Sequence, residues 1–266
     1  MSLLENKVAM ITSSTRGIGL ACTRKLAENG AKVYLAVRRP DAGRAIADEI
    51  IAAGGQADVC FFDAAKPESF RTSVEEVIAK EGRIDILVNN YGSTDVRKDF
   101  DLLNTKTEDF LSIVNHNLQS VYDTCQVAVA SMIKTGGGSI INMASVGGKY
   151  PDMSRIAYGE AKAAIIFLTQ NIATQYAYAG VRANCILPGF VATDAAMNNM
   201  SPEFLNMFLR TVPLNRPGQP EDIANTCLYL ASDMSSFVTG ENIPVAGGFG
   251  MPTPMYPMYA SMKSRG

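Results

Sequence analysis

The 266-residue chain has no tryptophan and one histidine, His116. A single imidazole excludes zinc sites of the HExxH type, and a serine–histidine triad could exist only through His116 itself. His116 sits in a helical stretch without a partner motif, so it reads as a surface or interface residue. Cysteine is scarce as well. Cys22, Cys60, Cys125, Cys185 and Cys227 are scattered, odd in number and without a CxxC pair. That pattern fits reduced core thiols, not a disulfide framework or a metal site. Neither sign of charge dominates: 24 basic against 26 acidic side chains leave a net charge of −2. No strong field points to nucleic acid or to an anionic membrane. No apolar run approaches the ~20 residues of a membrane span. Residues 1–6 hold Glu5 and no basic start before an apolar stretch, so no secretory leader is expected. A soluble, cytoplasmic protein is the expectation.

What is present is apolar material, 47% of residues, arranged in alternation. Strand-like runs are expected at 7–12, 32–37, 57–62, 84–88, 139–143, 181–187 and 242–245. Helical stretches are expected at 17–29, 41–53, 67–81, 107–135, 156–179 and 220–232. Strands apolar throughout and separated by helices indicate an α/β fold with a parallel sheet covered on both faces. Gly30, Gly54 and Gly180 fall where helices should end, and Pro67 and Pro220 where they should begin. No repeat, linker or charge block divides the chain, so one domain over 1–266 is expected, with 251–266 as a Met/Pro-rich tail.

After the first strand comes Thr12-Ser13-Ser14-Thr15-Arg16-Gly17-Ile18-Gly19, opening a helix. Glycines there admit a pyrophosphate to the backbone, and the helix N-terminus offers free N–H donors. Two glycines alone also suit a plain strand–helix turn. The end of the second strand selects between cofactors. An NAD site usually carries an acid there for the ribose 2′-hydroxyl. Here the strand runs into Arg38-Arg39, with Arg16 in the turn nearby. Guanidinium pairs bidentately with phosphate, so NADP is the expected cofactor. A solvated arginine pair is the alternative reading.

Tyr158 and Lys162 stand at i and i+4 of a helical stretch and share one face. A neighbouring ammonium would favour the phenolate and make the phenol a usable acid or base. Company strengthens the pair. Ser145 follows the strand-like run ending at Met143, Asn117 lies in a helix where Asn is unfavourable, Asn89-Asn90-Tyr91-Gly92 ends another strand, and Pro188-Gly189 ends a third. Taken singly these could be caps, kinks and turns. As a set they gather at the C-terminal ends of parallel strands, where ligands bind.

With these motifs the chain resembles the short-chain dehydrogenase/reductase family over nearly its whole length. The resemblance rests on the TxxxxGxG turn, Asp63, NNxG at 89–92, Asn117, Ser145, YxxxK at 158–162 and PG…T at 188–193. It implies a doubly wound Rossmann fold with a seven-stranded parallel sheet. It also implies a catalytic tetrad: Asn117 holding a kinked helix and a relay water, Ser145 bonding the substrate oxygen, Tyr158 exchanging the proton, and Lys162 binding the nicotinamide ribose. The cofactor set would be Ser14, Thr15, Arg16, Gly17, Ile18, Gly19, Arg38, Arg39, Asp63, Ala64, Asn90, Gly92, Tyr158, Lys162, Pro188, Gly189, Val191 and Thr193. No metal is implied. Two positions depart from the family pattern. Ser13 stands where glycine is usual, so the turn is either strained or differently shaped. Tyr91 stands where alanine is usual. The strings TSSTRGIG, NNYG before Thr94-Asp95, and Pro151 through Tyr158 resemble bacterial bile-acid hydroxysteroid dehydrogenases. They imply a steroid hydroxyl at position 12 or 7, with 12 slightly favoured. A β-ketoacyl thioester or small ketone is the alternative substrate.

The segment 190–212 holds Met197, Met200, Phe204, Met207, Phe208 and Leu209, an apolar lid for a flat hydrocarbon or simply core filler. The tail is too apolar to lie free and should pack on the cleft mouth or on a neighbouring subunit. The stretch 161–168 is apolar nearly all round, which points to burial on two sides and a homodimer or homotetramer.

Overall fold

Strand β1 (Val8–Thr12) is buried at every position, and its side chains divide between two cores. Ala9 and Ile11 face one side of the sheet, Val8 and Met10 the other, the period of two that a pleated strand imposes. The same division carries through the chain. The elements in order are β1, α1 (Gly17–Glu28), β2 (Lys32–Val37), α2 (Pro40–Ala52), β3 (Gln56–Phe61), α3 (Glu68–Glu81), β4 (Ile86–Asn89), α4 (Thr107–Thr135), β5 (Gly138–Met143) and α5 (Ile156–Tyr176). They continue with β6 (Val181–Pro188), α6 (Asp194–Met197), α7 (Pro202–Leu209), α8 (Pro220–Ala231), β7 (Asn242–Val245) and α9 (Tyr256–Lys263). This is a computed structural model that describes residues 2–198, 201–251 and 255–263.

Among the described residues the strands form one seven-stranded sheet in the order β3-β2-β1-β4-β5-β6-β7, and every pairing is parallel. Helices cover both faces. Cys22 and Leu26 of α1, Ala47 and Ile50 of α2, and Ile223 and Leu230 of α8 pack on one. Phe70 and Val74 of α3, Val121 and Met132 of α4, and Ile165 and Ile172 of α5 pack on the other. This is the doubly wound Rossmann architecture. The chain steps outward from β1 to β3, then crosses back so that β4 lies on β1's other side. A crevice opens at that reversal, beyond the strands' C-terminal ends.

A buried polar chain ties the helices near this crevice to the sheet. Thr124 of α4 donates to Asn89 of β4 at 2.8 Å, Asn89 to Asn142 of β5 at 2.9 Å, and Asn142 to Thr169 of α5 at 2.9 Å. All four residues are essentially inaccessible. A satisfied buried network fixes register, because a slip would strand its polar groups without partners. It sets α4 and α5 against the strands.

Most boundaries fall within one residue of the sequence expectation, and two shift further. Strand β4 starts at Ile86, not 84, because Asp85 turns its carboxylate back to accept the Val8 N–H at 2.8 Å. The helix expected over 156–179 closes at Tyr176 and tightens into a 3-10 turn, Ala177–Ala179. The five cysteines are all buried and free.

Candidate active site

The crevice holds a cavity of about 1080 Å³. Every residue named above for cofactor or catalysis lines it, with the exception of Ser14. The side chain of Ser14 is instead fully buried under the turn, and its hydroxyl has no hydrogen-bond partner among the described residues. It can reach a ligand in the crevice only through its backbone.

The turn between β1 and α1 is held rigidly. Asn90, at the end of β4, donates through Nδ2 to the carbonyls of Thr12 (3.1 Å) and Ser13 (3.2 Å). The Thr12 hydroxyl accepts from the N–H groups of Asn90 and Tyr91, both at 2.9 Å. Ser13 adopts φ 55°, the left-handed region. The turn therefore keeps the glycine conformation with a serine in it, at a cost of roughly 1–2 kcal/mol. Gly19 has no such freedom, since a Cβ there would lie 2.3 Å from the Ser13 carbonyl oxygen. The first turn of α1 has neither a side-chain cap nor an acidic residue, so its N–H groups face the crevice unclaimed. Arg16, Arg38 and Arg39 stand exposed around this end, and among the described residues no carboxylate pairs with any of them. Open backbone donors beside unpaired guanidiniums suit a phosphorylated dinucleotide.

The other end gathers the four residues of the expected tetrad. Ser145 follows β5, and its Oγ accepts from Gly147 N at 3.1 Å. Tyr158 lies in the first turn of α5, with Lys162 one turn on. The Lys162 ammonium, 2% exposed, donates to the Met143 carbonyl at 2.9 Å and lies 5.5 Å from the centre of the Tyr158 ring. Gly92 makes room for it: a Cβ there would come 2.6 Å from Lys162 Nζ. Asn117, fully buried in α4, donates to the carbonyls of Ser93 (2.7 Å) and Ile113 (2.8 Å) and accepts from Ser93 N at 3.0 Å. Its amide is spent on the loop after β4.

The electrostatics correct one expectation. Burial raises the Tyr158 phenol above its ordinary 10.0, and the Ser145 hydrogen bond and the positive charge of Arg155 reduce that rise without reversing it. Burial also pushes Lys162 down to about 8. In the protein alone, desolvation of the phenolate outweighs the Ser145 hydrogen bond and the charge of Arg155.

Three residues outside the expected site set line or support the crevice; Tyr91 stands out in the sequence only as a departure from the family pattern, and His116 and Asp99 are not singled out there as site residues. His116 lines it, its ring bonded to the Ser112 carbonyl at 2.6 Å. Tyr91 lines it too, with its hydroxyl on Ser93 Oγ at 2.9 Å and its ring 5.9 Å from that of Phe62. Asp99 lies outside the crevice, yet it holds the start of α5. Its carboxylate accepts from Ala157 N at 2.9 Å and Tyr158 N at 3.0 Å. The sequence carried one hint of it: α5 begins at Arg155-Ile156 with no local capping side chain.

The expected apolar lid is only partly present. Phe190 lines the crevice, and its ring meets Phe208 at 5.9 Å; Phe208 stacks on Phe249 at 5.3 Å, and Phe249 meets Tyr150 edge-on at 6.1 Å. Met197, Phe204 and Met207 are exposed and do not line the crevice, because α6 and α7 bury no residue of their own. Met200 and residues 252–254 of the tail lie outside the described residues. The described part of the tail packs back through Tyr256, whose hydroxyl meets the Pro213 carbonyl at 3.3 Å, and leaves Met258, Tyr259 and Met262 open.

A doubly wound parallel sheet with Ser, Tyr and Lys converging at its switch point defines a class of oxidoreductase folds, and this chain belongs to the short-chain dehydrogenase/reductase family. The family model that matches residues 12–250 is described as enoyl-(acyl carrier protein) reductase. The chain is 51% identical to a 7α-hydroxysteroid dehydrogenase of Clostridium sardiniense, over 97% of this chain and 99% of that protein. It is 36% identical to the 3-oxoacyl-[acyl-carrier-protein] reductase FabG of Chlamydia pneumoniae, over 92% of this chain and 97% of that protein. A solved 7α-hydroxysteroid dehydrogenase complexed with NADH and 7-oxo glycochenodeoxycholic acid superposes with a TM-score of 0.87 at 33% identity, covering 92% of this chain and 95% of that one.

Proposed function

We propose that this protein is an NADP-dependent dehydrogenase that interconverts a secondary hydroxyl and a ketone on a bile-acid steroid. The observation that carries the reading is one crevice with two chemically distinct ends: unpaired guanidiniums beside open helix N–H groups at one, and Ser145, Tyr158 and Lys162 at the other. Bound NADP supplies the hydride acceptor. Tyr158 takes the hydroxyl proton on its phenolate oxygen, and Ser145 hydrogen-bonds the same substrate oxygen. Lys162 binds the nicotinamide ribose, and its charge favours the phenolate. Asn117 acts through the Ser93 loop. Phe190, backed by Phe208 and Phe249, offers an apolar face to the steroid. The kinship with a 7α enzyme favours position 7 over position 12.

The rival reading is a β-ketoacyl thioester reductase, favoured by the kinship at 36% identity. An acyl carrier is acidic and calls for free cations at the crevice mouth. Arg97 and Lys98, in the loop after β4, are instead taken up by Asp95 and Asp109. Incubation with cholic acid and NADP, with the product identified by mass spectrometry and NMR, tests the reading. A 7-oxo product supports it. No oxidation of cholate, together with rapid NADPH-dependent reduction of an acetoacetyl thioester, overturns it.

Cofactor choice has its own test. Arg38→Asp should raise the KM for NADP on the order of 10–100-fold by removing a charge-assisted phosphate pair, while the KM for NAD moves little. Equal effects on both would remove the 2′-phosphate argument. As for assembly, we propose one domain over 1–266 and a homodimer or homotetramer in which α4 and α5 of neighbouring subunits cover Leu111, Tyr122 and Phe167, which stand exposed on the single chain. A cytoplasmic location accords with the described residues holding no helix long and apolar enough to cross a membrane.

A further inference from the structure

We infer that Asp99 is a positioning residue for Tyr158, supplying from 58 residues away the cap that α5 lacks locally. The inference rests on the reading of Tyr158 as the proton-exchanging group. Helix α5 has to deliver a phenol to the crevice from its first turn, the part of any helix most prone to fray. Ordinarily an Asp, Ser, Thr or Asn at the N-cap ties down those first N–H groups. Here the N-cap is Arg155, in the left-handed region at φ 62° and with no side-chain cap. The strain and the missing cap both work against an ordered first turn.

Asp99 makes good the deficit. It is 1% exposed, and its two oxygens accept from consecutive backbone N–H groups, Ala157 N on Oδ1 and Tyr158 N on Oδ2. The Thr94 hydroxyl donates to Oδ2 at 2.7 Å and orients the carboxylate. A buried carboxylate beside a helix N-terminus is stabilised by the dipole and by three hydrogen bonds, so it does not need a counter-ion. The adjacent Phe100 carbonyl accepts from Ile156 N at 3.1 Å and closes a third strap. At its other end the loop is clamped by Asn117, which grips both backbone groups of Ser93. A path thus runs from Asn117 to Ser93 by hydrogen bonds, along the chain to Thr94, and by hydrogen bonds through Asp99 to the backbone of Tyr158. Lys162, one turn further along, is anchored independently on the Met143 carbonyl. Loss of Asp99 should therefore misplace Tyr158 and leave Lys162 where it is.

The test uses Asp99→Ala, Asp99→Asn and Thr94→Val in the full chain. Hydrogen exchange at the Ala157 and Tyr158 amides should quicken at least about tenfold in Asp99→Ala, relative to amides in the middle of α4. With cholate and NADP, kcat should fall on the order of 10–100-fold, as a displaced reacting group does, while the KM for NADP stays within about threefold. Asp99→Asn keeps one acceptor and should fall between Ala and wild type. Thr94→Val should lose severalfold in kcat with the fold intact. Unchanged exchange at both amides, or a kcat loss fully accounted for by the unfolded fraction, overturns the inference. If wild type does not oxidise cholate, the substrate reading fails, and the exchange measurement still decides on Asp99.

Discussion

Tyr158→Phe should remove turnover and spare cofactor binding. We expect kcat to fall by about 10²–10⁴, the range contributed by a positioned acid or base, with the Kd for NADPH within about threefold of wild type. The substitution deletes one oxygen and keeps the ring, so the packing at the start of α5 is preserved. Lys162 does not depend on the phenol for its place, because Met143 holds its ammonium. Ser145 keeps its own bond to Gly147 N. The direction of the phenol's shift adds a second observable. Burial holds Tyr158 above its ordinary value, so in the protein alone the phenol is the resting form. Alcohol oxidation needs the phenolate and should speed up as pH rises towards that raised value. Ketone reduction needs the phenol and should slow over the same range. Both dependences should vanish from whatever activity Tyr158→Phe retains. Stopped-flow absorbance of NADPH gives the rates, and fluorescence titration the Kd. Activity within about tenfold of wild type would contradict the assignment.

The sheet and its helices were legible because the signals for them are local. A strand buried on both faces is an unbroken apolar run, and a helix between two such runs has to cross over. That Asn117, Ser145, Tyr158 and Lys162 meet in one crevice was legible because such residues recur at strand ends in a recognisable order. Ser13 was legible as a question, strained or reshaped, and the positive φ answers it as strain. What was not legible depends on contacts distant in sequence. Asp99 caps α5 across 58 residues, and no pattern around Asp99 announces it. Asn89 and Asn142 look like strand-end polar residues in the sequence, and only the paired sheet turns them into a link between α4 and α5. His116 reads as a surface residue because the crevice beside it takes its other walls from elements distant in sequence. The segment 194–209 is apolar in the way of a lid, yet in the single chain Met197, Phe204 and Met207 bury little. The net electrostatics of Tyr158 could not be read from Lys162's spacing, because desolvation depends on everything packed around the pair.

Lys162→Met should give an enzyme that is both inactive and more stable at neutral pH. Turnover should drop by about 10²–10⁴, since the ammonium lies 5.5 Å from the centre of the Tyr158 ring and is the proposed partner of the nicotinamide ribose. The stability argument is separate. The ammonium is 2% exposed and has no carboxylate partner among the described residues, only the Met143 carbonyl. Burial lowers it from 10.5 to about 8. A shift of that size corresponds to on the order of 3 kcal/mol of destabilisation while the group is charged in both states. Losing the bond to Met143 leaves a buried carbonyl short of a donor and returns about 1–2 kcal/mol of that. The net expectation at pH 7 is a variant more stable by about 1–2 kcal/mol, seen as a higher Tm. The pH dependence has a fixed sign. Below pH 8 folded and unfolded wild type are both protonated at this site, and the full penalty applies. Between pH 8 and about 10.5 the unfolded chain holds the extra proton, so wild-type stability climbs with pH relative to the methionine variant. The Tm difference should therefore be largest at pH 7 and shrink towards pH 10. A variant less stable than wild type at pH 7, or a difference that grows with pH, would show that the buried ammonium is not the strained group its surroundings imply. Residues that carry function are expected to sit where the fold would prefer something else, and here the cost is measurable in a protein that no longer turns over.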